Sequence, residues 1–227
     1  MSASNKSTDL KAKRYLIVAL ATTACVGAAA AFHLFGKPSP HDGHHMMASL
    51  KQTLLAVDGG QPLRLPALIG ADGSPFTPER LQGRWSLVFF GFTSCPHVCP
   101  TTLQVLSAVA RDPASGVAAG TSQILFVSVD PERDTPQRMK AYVESFGGRM
   151  TGLTGSRQAI DDYSAAVNAG YRSSGSGIDH STSLFVIDPK GRLAGVLLRP
   201  DAAASIVADL KTLQSSYAGS PHVSLVR

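Results

Sequence analysis

The stretch WSLVFFGF, Trp85 to Phe92, carries no charge over eight residues and runs straight into the proline-broken loop TSCPHVCP. A short continuous apolar run of this kind fits a strand covered on both faces rather than one with a wet side. After the loop, Leu103, Leu106 and Ala110 recur at helical spacing within TTLQVLSAVARD. A buried strand that feeds a helix calls for a parallel neighbour, and QILFVSVD, Gln123 to Asp130, supplies one. A second helix is expected from Thr135 or Pro136, since proline suits a first turn, to about Phe146, and a third from about Ser156 to Ala169. STSLFVIDPKGRLAGVLLR reads as two strands joined at Asp188 to Gly191, and a last helix runs from about Asp201 to Tyr217. A short strand near Leu63 and the turn ADGSPF place a hairpin ahead of the main sheet. The expected fold class is α/β with a central mixed sheet over residues 61–218, followed by a C-terminal tail, 219–227.

The first sixty residues read differently. Residues 1–14 are polar and basic, and Tyr15 to Phe35 then holds no acid, Lys or Arg for 21 residues, enough to span about 30 Å of hydrocarbon as a helix. Lys11, Lys13 and Arg14 just before it put the N-terminus in the cytoplasm by the positive-inside rule. A retained transmembrane anchor over 15–35 is the preferred reading. The alternatives are a signal peptide cleaved near Ala28 to Ala31, and a lipid-modified Cys25. Each delivers the domain to the same side, which in a bacterium is the periplasm, with the anchor in the inner membrane. Residues 36–60 are a Pro- and Gly-containing tether holding His41, His44, His45, Met46 and Met47. Imidazole and thioether donors together suit copper, although a polar linker that happens to be His-rich is the plainer reading.

Net charge is +5, but five cations against Asp9 put +4 of this before residue 41. The remaining +1, with no basic stripe interleaved with aromatics, excludes a nucleic-acid binder. With Cys25 in the apolar segment, Cys95 and Cys99 are the two cysteines of the domain and act as a pair. At a helix start, residues four apart share a face about 6 Å apart, and the helix N-terminus favours thiolate. Such a pair can close a disulfide, attack a substrate or hold a metal. A third donor decides between these: His97 lies between the cysteines, and His180 opens the hairpin, each open to reading as an ordinary surface or core histidine. Two thiolates with one imidazole would form a soft set suited to Cu(I), whereas structural zinc wants four protein ligands. In VSVDPERDTP, Asp134 and Thr135 read as helix caps, with Asp130 or Arg133 able to face the cysteines from the neighbouring strand end.

FFGFTSCPHVCPTTL, FVSVDPERDTPQRMKAYVESF, GLTGS and DHSTSLFVIDPKGRL, in that order behind an N-terminal anchor, resemble the Sco (SenC) family of membrane-anchored, thioredoxin-fold copper proteins. The resemblance covers about Leu63 to Leu213 and implies a thioredoxin-like fold. It also implies that Cys95, Cys99 and His180 bind one copper ion, as Cu(I) or Cu(II), with Asp130 in support. The implied role is assembly of the binuclear CuA centre of cytochrome c oxidase. This would proceed by delivering copper to the copper-receiving subunit, by reducing that subunit's cysteines, or both, with another periplasmic copper chaperone as a further partner. His97 stands where the family commonly has Asp. Two functions compete: a metallochaperone, which turns nothing over, and a thiol-disulfide reductase working through Cys95 and Cys99, which needs no His180.

Overall fold

The structure, a computed structural model, describes residues 54–57, 62–174, 177–198 and 200–218. The expected cytoplasmic segment, the anchor, the His/Met cluster and the tail 219–227 lie outside the described residues.

β1 (Leu54–Ala56) comes first, then β2 (Leu68–Gly70), β3 (Pro75–Phe76) and β4 (Trp85–Gly91), followed by α1 (Val98–Arg111) and β5 (Ser122–Ser128). Next come α2 (Pro136–Glu144), β6 (Thr151–Thr154), α3 (Arg157–Ala166), β7 (Tyr171–Ser174) and β8 (Gly177–His180). The chain closes with β9 (Leu184–Ile187), β10 (Leu193–Leu197) and α4 (Ala203–Ala218). Eight strands form one mixed sheet in the order β1-β10-β9-β4-β5-β6-β2-β3, while β7 and β8 form a separate ribbon. β4, β5 and β6 are parallel; β9 lies antiparallel on the other side of β4.

The apolar run becomes the centre of this sheet, and all seven residues of β4 are buried. Successive side chains of a strand point to opposite faces. Leu87 and Phe89 therefore join Ile124 and Phe126 in a core closed by Leu103, Leu106 and Val109 of α1, Met139 and Val143 of α2, and Ile206 and Leu210 of α4. Val88 and Phe90 join Leu125 and Val127 in a second core under Ile160 and Tyr163 of α3. Two cores back to back explain why the strand shows no polar alternation.

Several boundaries differ from expectation. Residues 54–56, assigned to the tether, form a strand that covers the edge of β10, with Leu54 opposite Leu197, and so satisfies backbone groups an open edge would leave unpaired. The expected hairpin is present as β2 and β3, but Leu63 is not in it; its N–H donates to the Gly191 carbonyl at 2.8 Å. α1 starts at Val98, three residues before the run TTLQVL, because Pro100 in a first turn gives up an N–H that has no partner within the helix. α3 ends at Ala166, since Asn168 adopts φ 57° and turns the chain out of the helix. β6, β7 and β8 were not expected.

Candidate metal centre

The cysteine loop leaves the end of β4 between β5 and β9. Two features fix it. Thr93 is held by Asp134, whose carboxylate accepts from the Thr93 N–H at 3.0 Å and the Thr93 hydroxyl at 2.5 Å. The same carboxylate, fully buried, accepts from the Ser128 hydroxyl at 2.6 Å, and Arg138 Nε donates to Thr93 Oγ1 at 2.6 Å. The cap of α2 is Thr135, which accepts from the Arg138 N–H. Asp134, read from the sequence as a cap, instead bolts the cysteine loop to the end of β5.

The second feature is Gly91. A Cβ there would sit 2.7 Å from Cys99 Sγ and 2.8 Å from the Phe126 ring, so the bare backbone provides the space that the sulfur occupies. Cys99, second residue of α1, is fully buried; Cys95, which precedes the helix, is half-buried and accepts from the Cys99 N–H at 3.5 Å. Both thiols are free.

His180 ends β8 rather than opening the β9–β10 hairpin. Its Nδ1 lies 3.0 Å from the Ser181 carbonyl, which can only accept, so Nδ1 carries the proton. Nε2 then presents its lone pair, 3.3 Å from Cys99 Sγ. Phe89 and Phe92 pack edgewise on the imidazole at 6.0 and 5.7 Å between ring centroids. One donor atom from each of Cys95, Cys99 and His180 lies within 4.8 Å of the other two. A fixed tautomer with a free Nε2 is what a metal-ligating imidazole requires.

The two thiols are electrostatically unequal. Burial pushes Cys95 up, but the Cys99 N–H and side chain and the N–H groups of His97 and Val98 outweigh it and hold the thiol below its ordinary value. Burial drives Cys99 far above its ordinary value; the Phe92 backbone pulls it back a little, while the Cys95 sulfur and the Asp134 charge push it further. Without a cation Cys95 is therefore the first of the pair to give up its proton, and Cys99 holds its own. A cation seated among the donors reverses that preference by favouring both thiolates. The Tyr142 phenol is pushed up to about 12, by burial first and then by the charges of Cys99, Cys95 and Asp134, and stays protonated as a neutral neighbour.

The other expected participants lie apart from this cluster. Asp130 is buried, but its carboxylate turns to Arg133 at 3.3 Å; the acid that Cys99 feels is Asp134. His97 is exposed in the N-cap position of α1, with no side-chain bond to the helix. It borders a groove of about 430 Å³ with Val98, Val105, Thr182 and Asp201. Gly91, Asp134 and Ser181 are the contributors that sequence reasoning missed; Gly91, ending the apolar run directly before the cysteines, was the readable signal.

This chain is similar in sequence and in shape to known proteins. Protein sco1 of Schizosaccharomyces pombe is 35% identical over 141 residues, which are 59% of this chain and 53% of that one, so the chain spans about half of that relative's length. Arabidopsis thaliana ScoI, solved with copper bound, superposes with a TM-score of 0.61 at 30% identity, covering 70% of this chain and 99% of that one. Bradyrhizobium japonicum ScoI, also solved with copper bound, gives 0.58 at 34% identity over 68% and 98%. Residues 67–215 match the SCO1/SenC family, and with its mixed sheet matching Sco structures of thioredoxin-like fold the chain belongs to that family.

Proposed function

We propose that this protein is a copper metallochaperone that holds one copper ion through Cys95, Cys99 and His180 and delivers it to, or prepares, the CuA site of the copper-receiving subunit of cytochrome c oxidase. The observation that carries the reading is the meeting of two thiols and one imidazole with its Nε2 free, a soft donor set that fits Cu(I) and accepts Cu(II) with an added oxygen ligand. Copper bound in ScoI of Arabidopsis thaliana and of Bradyrhizobium japonicum supports it. The domain would stand in the periplasm, tethered by residues 36–60 to a single inner-membrane span over residues 15–35.

The cargo meets an asymmetric site. Cys99 holds it from the buried side, and half-buried Cys95 and His180 form the edge at which a recipient's ligand can enter. Loading releases the Cys99 proton, so affinity falls as pH falls. Oxidation of the two ligating thiolates to a Cys95–Cys99 disulfide, with loss of two electrons, removes two of three ligands and expels the ion. A partner disulfide can accept those electrons and, with two protons from solvent, become two thiols.

That exchange is the second reading, a thiol-disulfide reductase, favoured by the division between an accessible, acidic Cys95 and a buried, protonated Cys99. His180→Ala separates the two. Produced in place of the wild type, the variant should leave the oxidase without CuA, read from the oxidase's near-infrared absorption. Full CuA content with His180→Ala would favour the reductase.

A further inference from the structure

The proposed ligand set leaves unexplained how His180 is held at the thiols. Its carrier, the β7–β8 ribbon, is not hydrogen-bonded into the eight-stranded sheet. A lone two-stranded hairpin is marginal in water, so side-chain contacts must set its position. The register names the residue best placed to do so: Tyr171 lies directly opposite His180, and the Ser181 N–H donates to the Gly170 carbonyl at 3.0 Å to close the next rung. Directly paired residues of an antiparallel ribbon share a face, about 5 Å apart at Cβ. That face is turned to the domain, where Tyr171 and Ile178 pack against the second core.

The Tyr171 hydroxyl is fully engaged. It accepts from Arg157 Nη1 at 3.3 Å and donates to the Asp161 carboxylate. Arg157, the first residue of α3, also donates to the Val129 carbonyl at 2.9 Å, just past β5, and pairs with Glu132. The acidic turn Asp130 to Asp134 therefore reaches both halves of the site: Asp134 holds the cysteine loop, and Glu132, through Arg157, holds the tyrosine opposite His180.

We infer that Tyr171, pinned between Arg157 and Asp161, is the positioning residue that sets His180 Nε2 at its place above the Cys95–Cys99 pair. This inference rests on the three-ligand copper reading. Residues that orient a ligand typically change metal affinity by about 10- to 100-fold when lost. Removing the Tyr171 hydroxyl should therefore weaken copper binding, and should do so through His180 alone.

A double-mutant cycle on the full-length protein, with Cu(I) affinity measured by competition with a chromophoric chelator, tests this. Tyr171→Phe should lower affinity about 10-fold in the wild-type background and less than about 2-fold in the His180→Ala background. Cu(II)-loaded Tyr171→Phe should also show altered nitrogen hyperfine coupling by electron paramagnetic resonance, which a merely structural role would leave unchanged. Arg157→Gln, which spares the tyrosine ring, should give the same dependence on background. Wild-type affinity in Tyr171→Phe, or an equal loss in both backgrounds, overturns the inference while leaving the copper site standing. Unchanged affinity in His180→Ala itself would instead overturn the three-ligand reading.

Discussion

The cysteine turn and the β7–β8 ribbon meet at one point but are built on opposite plans. The turn grows from β4, buried along its whole length between β5 and β9, and is bolted by a fully buried carboxylate. The ribbon lies outside the sheet and is tied down through a half-buried tyrosine and an arginine at the start of α3. Two of the three proposed ligands thus belong to the core of the fold, and the third is brought to them by an accessory element. Under the proposed function such a division would let the thiol pair keep its geometry whether or not the imidazole is engaged.

The largest expected effect falls on the bolt. Asp134→Ala removes the acceptor of the Thr93 N–H, the Thr93 hydroxyl and the Ser128 hydroxyl, and should cost about 3 kcal/mol in urea unfolding, since each buried group left unpaired costs about 1–3 kcal/mol. A loss below about 1 kcal/mol would mean the cysteine turn is no better anchored than the ribbon. A smaller and paired effect comes from two glycines. Gly91→Ala drives a methyl into Cys99 Sγ and Phe126 and should cost about 1–3 kcal/mol, while Gly170→Ala, with nothing within 4 Å, should stay within about 0.5 kcal/mol. Equal costs at the two positions would erase the contrast between core and accessory.

The same contrast governs what could be read without coordinates. β4 was legible because an unbroken apolar run has few other places to go, and the cysteines were legible because prolines frame them directly after it. β6 was not, since TGLT is four residues long and carries Gly152, whose missing side chain lets the strand pack closely on Met139 and Ala71. The ribbon was not, since YRSS and GIDH, joined by Gly175 and Ser176, look like a polar loop. His180 stands 81 residues from Cys99, a separation with no geometric content, and the family resemblance rather than spacing pointed to it. Asp134 and Asp130 illustrate the remaining limit: both lie in one acidic turn, and the sheet ends decide which of them holds the cysteine loop.

The central claim is that the two regions together make one copper site. Copper stoichiometry and visible absorption of the reduced full-length protein, for the wild type against Cys95→Ser, Cys99→Ser and His180→Ala, test it most directly. The account predicts one copper per chain in the wild type, with a thiolate charge-transfer band in the Cu(II) form, and loss of the band or of tightly held copper in each variant. Wild-type stoichiometry and spectrum in all three variants would contradict it.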